Sequence, residues 1–171
     1  RESVAFYLDA SPWGLGGVLV ISGVVVSYFV SPLTHIDETI HGYSIGDSKG
    51  QQTWECLAIL VALRIWKAQW TNKRCEVRIK SDNISALAMS SKMKIRASPL
   101  IAKEIALLYS EAAHEPRIFE HVPGVANVLA DALSRIFEPG TDKKLPPQLS
   151  SAKKIQVPRR SRTWYKSLAT G

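Results

Sequence analysis

The first thirty residues constrain the fold most, because they contain three short apolar runs with the character of β-strands. Residues 4 to 9, "VAFYLD", alternate between two sets of side chains, which is the two-residue period of a strand with two different faces. Two β-branched runs follow at 18 to 21 and 24 to 30, joined by Ser22-Gly23. This pattern predicts three consecutive antiparallel strands and argues against a membrane span.

The rest of the chain alternates between helical and strand patterns. We predict a surface loop at 33–52, a buried helix in "TWECLAILVALRIWKAQW", a strand in "CEVRIKSDN", helices at 83–91 and 98–113, a strand in "RIFEHV", a turn at Pro123-Gly124 and a last helix at 125–138. The order β-β-β-α-β-α-α-β-α predicts an α/β fold with one core: a five-stranded mixed sheet flanked by helices.

Composition limits the class of protein and its compartment. With 171 residues, 46% of them apolar, the chain is long enough for one ordinary core. It does not begin with Met and shows no secretory leader, so we expect a piece of a longer polypeptide that is intracellular, in the cytoplasm or nucleus, and not secreted. Cys56 and Cys75 fit no metal or disulfide pattern and are expected to be small buried hydrophobes in a reducing compartment.

The net charge of +7 is confined to the end of the chain. From residue 139 onward there are eight Lys or Arg and one acid, Asp142, whereas the first 138 residues are neutral. We therefore predict a main domain over 1–138 and a basic tail or linker, rich in Pro and Ser, over 139–171. A solvated linker, an arm that touches nucleic acid and a nuclear import signal all fit this composition, and the aromatic residues of "RTWYKSL" indicate that the tail docks on something.

Four acidic residues lie at positions where separate predicted strands and helices could bring them together. Asp9 ends the first strand, Asp82 ends the fourth, Glu55 lies in the first turn of the buried helix, and Asp131 interrupts the apolar pattern of the last helix. Two carboxylates about 4 Å apart repel by roughly 4 kcal/mol at an effective dielectric near 20, so their convergence would require cations or protons. Ligands that are all oxygen favour Mg²⁺ or Mn²⁺, and two such ions suit attack on a phosphodiester. Scattered surface acids remain the alternative.

Four blocks of the chain resemble one known family. "YLDASPWGLGGVL", "TWECLAILVAL", "IKSDNISAL" and "HVPGVANVLADALSR" are similar to the blocks of the ribonuclease H domain in retroelement reverse transcriptases, above all those of long-terminal-repeat and DIRS-type retrotransposons. The resemblance covers about residues 3 to 138. It implies a ribonuclease H-like fold and a metal-dependent endonuclease that hydrolyses the RNA strand of RNA–DNA hybrids during reverse transcription, leaving 5′-phosphate and 3′-hydroxyl ends.

The resemblance also implies a ligand set and partners. The family's Asp-Glu-Asp-Asp set falls on Asp9, Glu55, Asp82 and Asp131 as catalytic residues and ligands of two Mg²⁺ ions, with Mn²⁺ able to substitute. Asp9 would bridge both ions, Glu55 and Asp82 would hold the second, and Asp131 would help to hold the first. The implied partners are an RNA–DNA hybrid and a reverse transcriptase polymerase domain upstream in the same polyprotein; no membrane is implied.

The chain departs from the cellular members of that family near the last helix. Those members carry a longer loop there, with a His that assists catalysis. Here only "VANVLA" separates Gly124 from Asp131. His121 precedes the turn, and it is interpreted either as a catalytic helper or as a structural residue of the strand.

Substrate contacts are predicted beside the acids. Glycines allow the backbone to approach a sugar-phosphate chain closely, and amides and cations near the acids can bind it. The candidates are Ser11, Trp13, Gly14, Gln51, Gln52, Asn83, Lys92, Lys94, Arg96 and His121. Each also has a structural interpretation, such as a helix cap for Asn83 or a solvated loop for the cations.

Two other functional classes stay open at this point. A non-catalytic module of the same fold could bind hybrids or tether the polymerase, although all four acids are retained. An integrase or transposase core acts on DNA from a related fold, but it carries three acids at a different spacing, and the "DALSR" ending speaks against it.

Overall fold

A six-stranded mixed sheet forms the centre of the molecule. The computed structural model describes residues 3–71, 74–79, 98–120 and 125–169, with only the backbone at 119, 120 and 169. The strands are β1 (Val4–Ala10), β2 (Gly14–Ile21), β3 (Val24–Pro32), β4 (Cys75–Ile79), β5 (Arg117–Glu120) and β6 (Lys153–Lys154), and their spatial order is β5-β4-β1-β2-β3-β6. β1, β2 and β3 pair antiparallel, whereas β1–β4, β4–β5 and β3–β6 pair parallel.

The predicted fold class is confirmed, with one correction to the strand count. A mixed sheet flanked by helices and opened by three antiparallel strands is what the structure contains. The sixth strand is a two-residue segment of the tail that pairs with Ser27 and Tyr28. Two residues are too short to show a period, so the sequence pattern could not reveal this strand.

Six α-helices lie in the described part of the chain. They are α1 (His35–His41), α2 (Gln51–Ile65), α3 (Lys67–Trp70), α4 (Pro99–Ala112), α5 (Val125–Ser134) and α6 (Lys166–Ala169). The helix predicted at 98–113 is α4, which begins with Pro99 and is capped by Ser98. The predicted buried helix is interrupted at Trp66, and the last predicted helix ends earlier, at Ser134. The predicted helix at 83–91 and the turn at Pro123-Gly124 lie outside the described residues.

The prediction of a loop at 33–52 is wrong in part, because this segment contains α1. The Thr34 side chain accepts a hydrogen bond from the Asp37 backbone, and the Asp37 carboxylate accepts one from the Thr34 backbone, which is a capping box. Gly42 ends the helix in a left-handed conformation at φ 79°. Seven residues give too short a run for apolar periodicity, so only the cap residues indicate the helix.

Two apolar clusters cover the two faces of the sheet. Phe6 and Leu8 of β1 belong to the larger cluster, to which α2 contributes residues 56–63, all fully buried. Val18 and Tyr28 belong to the smaller one, with Leu133 of α5. The alternation of side chains along the strands therefore places α2 and α5 on opposite faces.

Both cysteines lie in the larger cluster and form no disulfide, as expected. Burial raises the pKa of Cys75 to about 12, with the Glu76 charge adding to the effect, so its thiol stays protonated. No helix within the described residues is long and apolar enough to cross a membrane.

The chain beyond residue 138 packs back on the sheet and helices. Leu149 joins the smaller cluster, and Trp164 and Tyr165 join the larger one, where Tyr165 is fully buried. The Arg64 guanidinium lies 4.2 Å from the centre of the Trp164 ring, a cation–π contact. Although this segment is basic in composition, it contributes apolar side chains to the core.

A buried ion pair joins this segment to the start of α1. Arg160 and Asp37 are 3% and 0% exposed, and the guanidinium donates to both carboxylate oxygens at 3.0 and 2.9 Å. It also donates to Ser31 Oγ at 2.6 Å and to the Pro32 carbonyl at 3.0 Å. One of the tail's cations therefore has a structural role, since a buried charge is tolerated only when it is paired and hydrogen-bonded.

Replacement of Arg160 by Ala is expected to destabilise the protein by about 3–5 kcal/mol, because it leaves the Asp37 carboxylate buried without its counter-ion. Urea unfolding measures the effect. Arg159→Ala removes the same side chain from an exposed neighbouring position and should change the unfolding free energy by less than about 0.5 kcal/mol. Equal losses in the two variants would contradict a structural role for the ion pair.

Stability should also depend on pH through His41. Its Nε2 lies 2.8 Å from the Tyr165 hydroxyl. Burial lowers its pKa to about 4, the Asp37 charge opposes this shift, and the Arg160 charge adds to it. The unfolded chain, with a pKa near 6.5, therefore binds a proton between pH 6.5 and 4 that the folded chain does not, and the unfolding free energy should fall as the pH falls through this window.

Unfolding titrations at pH 7, 5.5 and 4 measure this slope. His41→Gln should reduce the loss of unfolding free energy between pH 6.5 and 4 by at most about 3 kcal/mol. His35→Gln is the matched control, because the His35 side chain is 91% exposed. An unchanged slope in His41→Gln would assign the pH dependence to other groups.

Candidate active site

The carboxyl end of β1 carries the first of the predicted acids. Asp9 is fully buried, and its Oδ1 accepts a hydrogen bond from the Ala10 backbone at 2.8 Å. In the antiparallel ladder it lies opposite Gly16 of β2. The strand thus presents this carboxylate on the face that α5 covers.

Glu55 of α2 lies at the same end of β1. It is 2% exposed, and its Oε1 accepts a hydrogen bond from Gln51 Nε2 at 2.9 Å. The same nitrogen donates to the Ala10 carbonyl at 2.7 Å. One side-chain amide therefore connects the residue after Asp9 to the Glu55 carboxylate.

Asp131 approaches this end of the sheet on α5. The helix can pack closely on β2 because residue 16 is glycine: a Cβ there would lie 2.6 Å from Leu133 Cβ and 2.7 Å from the Ala130 carbonyl. The Asp131 side chain is 41% exposed, and its Oδ1 lies 3.2 Å from Arg135 Nε. Asp131 thus occupies the rim, whereas Asp9 and Glu55 are buried.

Arg135 links the Asp131 carboxylate electrostatically to Asp9. Burial alone would lower the pKa of this guanidinium, but the charges of Asp131, Glu138 and Asp9 together raise it above its ordinary value. Arg135 is thus near enough to Asp9 for the two charges to interact. Arg135 was not among the predicted site residues, although its i,i+4 spacing from Asp131 is the typical spacing of a helical ion pair.

Ser11 joins the loop after β1 to the end of α5. Its hydroxyl donates to the Ser134 carbonyl at 2.5 Å and accepts from the backbone N–H groups of Trp13 and Gly14, each at 3.2 Å. The Ser134 hydroxyl in turn donates to the Asp131 carbonyl at 2.8 Å. The predicted substrate contact at Ser11 stays a prediction, but its side chain already has three protein partners.

The other predicted contacts differ in accessibility. Trp13 is partly exposed beside Gly46, whereas Gly14 is buried, and a Cβ there would lie 3.1 Å from the Ser134 carbonyl. Gln51 is partly buried and Gln52 is exposed. The remaining predicted site residues lie outside the described residues: Asp82, Asn83, Lys92, Lys94, Arg96 and His121.

The predicted metal ligands are all carboxylates, which suits a hard cation. Only some of them lie in the described part of the chain. Asp9 and Glu55 offer carboxylate oxygens, the ligands that Mg²⁺ prefers. Within the ranges 3–71, 74–79, 98–120 and 125–169, no group of three or more His, Cys, Asp or Glu is arranged to hold a metal ion. The fit to a divalent cation therefore rests on the two buried acids.

Comparison with solved structures finds chains that resemble this one in fold. The solved structure of LC11-RNase H1, isolated from compost by a metagenomic approach, aligns with 78% of this chain and 91% of its own, at a TM-score of 0.45 and 18% sequence identity. No protein-family model and no curated protein matches the chain. The assignment of function below therefore depends on the residues themselves.

Replacement of Ser11 by Ala should lower the unfolding free energy by about 1–3 kcal/mol, because it leaves the Ser134 carbonyl without its buried donor. Chemical denaturation measures the loss. Ser44→Ala, at an exposed position, is the control and should stay within about 0.5 kcal/mol of the parent protein. A loss no larger than the control's would show that the hydroxyl does not hold the loop against α5.

Proposed function

We propose that the chain is a metal-dependent endonuclease that hydrolyses the RNA strand of RNA–DNA hybrids and leaves 5′-phosphate and 3′-hydroxyl ends. We further propose that it works within a retroelement reverse transcriptase, with the polymerase domain upstream in the same polyprotein. The sequence blocks that resemble such ribonuclease H domains suggest this activity. The mixed sheet flanked by helices is consistent with it.

The observation that carries the proposal is the pair of buried carboxylates at the end of β1. Asp9 and Glu55, at 0% and 2% exposure, come from two elements and are connected through Gln51 and Ala10. Burial of an ionised carboxylate is costly, and two near one another also repel. A site of this kind favours a divalent cation, which offsets both costs.

The chain's own residues would bind and orient the reacting groups. Asp9 and Glu55 would hold the cations from the buried side, with Asp131 at the rim and Asp82 completing the set. When bound, two Mg²⁺ ions supply a water of lowered pKa and stabilise the leaving oxygen. The partly exposed Trp13, in the loop after β1, would contact a sugar-phosphate strand bound there.

A non-catalytic hybrid-binding or polymerase-tethering module is the second candidate. The ion pair between Asp131 and Arg135 favours it, because a guanidinium already compensates one of the proposed ligands. Such a module would bind a hybrid without cutting it.

Cleavage of a labelled RNA–DNA hybrid in Mg²⁺ or Mn²⁺ tests the proposal. Glu55→Gln and Asp82→Asn should each lower the rate at least about 100-fold, because each removes a charge that would hold the cation, a contribution of several kcal/mol to the barrier. Asp142→Asn alters an exposed acid of the tail and should leave the rate unchanged. Circular dichroism verifies that the variants fold.

Each alternative has its own outcome. Tight hybrid binding without cleavage in either metal would favour the non-catalytic module. Preferential cleavage of duplex DNA would indicate an integrase-like activity. Unchanged hybrid cleavage in Glu55→Gln and Asp82→Asn would exclude the proposed site, and chemical analysis of the product ends would test the 5′-phosphate.

A further inference from the structure

Gln51 is built into the candidate site differently from its neighbour Gln52. It is the first residue of α2 and lies one helical turn before Glu55. Its amide nitrogen donates to the Ala10 carbonyl at 2.7 Å and to Glu55 Oε1 at 2.9 Å. A Gln amide has two N–H groups, so both are occupied within the protein.

Chemistry alone decides how this amide is oriented. A carbonyl oxygen and a carboxylate oxygen are both acceptors, and only the NH₂ side of the amide can donate to the two of them. The amide oxygen must therefore point away from both. Glu at this position would have the same shape and no N–H, so Gln51 is suited to this contact in a way that its nearest isostere is not.

The amide completes a continuous connection between the two buried acids. The Ala10 backbone N–H donates to Asp9 Oδ1 at 2.8 Å, and the carbonyl of the same residue accepts from Gln51. The path from one carboxylate to the other thus runs through one backbone residue and one side chain. Gly50, the N-cap residue of α2, makes no side-chain capping hydrogen bond. The Gln51 amide instead connects the start of the helix to β1.

We propose that Gln51 is a positioning residue, which orients the Glu55 carboxylate against the end of β1 for metal binding and does not itself bind substrate. The inference deepens the proposed function and rests on it. It also separates two residues that were predicted alike as substrate contacts, because Gln52 is exposed and a nucleic acid could reach it.

Calorimetric titration with Mn²⁺ or Mg²⁺ alone, without nucleic acid, is the first test. Gln51→Ala should weaken metal binding by about 10- to 100-fold, the usual effect of removing a residue that orients a metal ligand. Gln51→Glu should weaken it too, because it keeps the shape of the side chain and lacks the donors. Gln52→Ala is the matched control and should leave metal affinity within about twofold of the parent protein.

Hybrid binding and turnover provide the second readout. With metal removed by EDTA, the Kd of Gln51→Ala for a hybrid should equal that of the parent protein, and in metal its kcat should fall while KM changes little. Weakened hybrid binding in EDTA with normal metal affinity would overturn the proposal and make Gln51 a substrate contact. Unchanged metal affinity in a folded Gln51→Ala would overturn it as well.

Metal binding and hybrid cleavage by the wild-type chain distinguish a failure of the positioning role from a failure of the proposed function. A wild-type chain that neither binds metal nor cuts a hybrid would overturn both. A wild-type chain that binds metal and cuts, alongside a Gln51→Ala variant that does so equally well, would overturn the positioning role alone. Where Gln51→Ala does not fold, the isosteric Gln51→Glu decides between these outcomes.

Discussion

The burial of Asp9 at the end of the central strand is the constraint to which the surrounding structure conforms. A carboxylate without exposure is stable in a protein only with donors or cations close by. Two helices on opposite faces of the sheet are hydrogen-bonded to this point. The Gln51 amide of α2 donates to the Ala10 carbonyl, and the Ser11 hydroxyl donates to the Ser134 carbonyl of α5. The end of β1 is consequently a junction of three elements, and a side chain placed there is held from both faces.

The segment after residue 138 stabilises the same end of the sheet two strands away, because Ser31 of β3 pairs with Leu15 of β2, which pairs with Ala10 of β1. Arg160 contacts Asp37, Ser31 and Pro32 at once, so it joins the end of β3 to the start of α1. The Glu104 carboxylate of α4 accepts from the backbone N–H groups of Lys166 and Ser167 at 2.8 and 2.7 Å. These contacts span many residues along the chain, which makes the segment part of the folding unit that contains the candidate site.

Sequence patterns predicted the parts of the structure that repeat with a period. Alternation identified β1, β-branched runs identified β2 and β3, and a helical apolar pattern identified α4. Elements defined by single long-range contacts had no such signal: β6 needs only two residues, and the burial of Arg160 depends on a carboxylate 123 positions away. In the last 33 residues the eight cations suggest solvation, whereas the aromatic residues of "RTWYKSL" indicated the docking that the burial of Trp164 and Tyr165 shows. For the candidate site, the sequence showed which acids follow which elements. It could not show that Gln51 and Ser11 turn inward, because that orientation depends on where α2 and α5 meet β1.

Charge at the rim is balanced differently from charge in the interior. Arg135 lies near Asp131, Glu138 and Asp9, so one guanidinium offsets part of the repulsion among the acids without any bound cation. The half-exposed Asp131 can exchange this partner at little cost, since exposed ion pairs contribute at most about 1 kcal/mol. Glu55 is fixed instead by a neutral amide, which orients the carboxylate and leaves its charge in place. A cation entering from the rim would therefore displace only a weak ion pair, and it would meet buried oxygens that are already oriented.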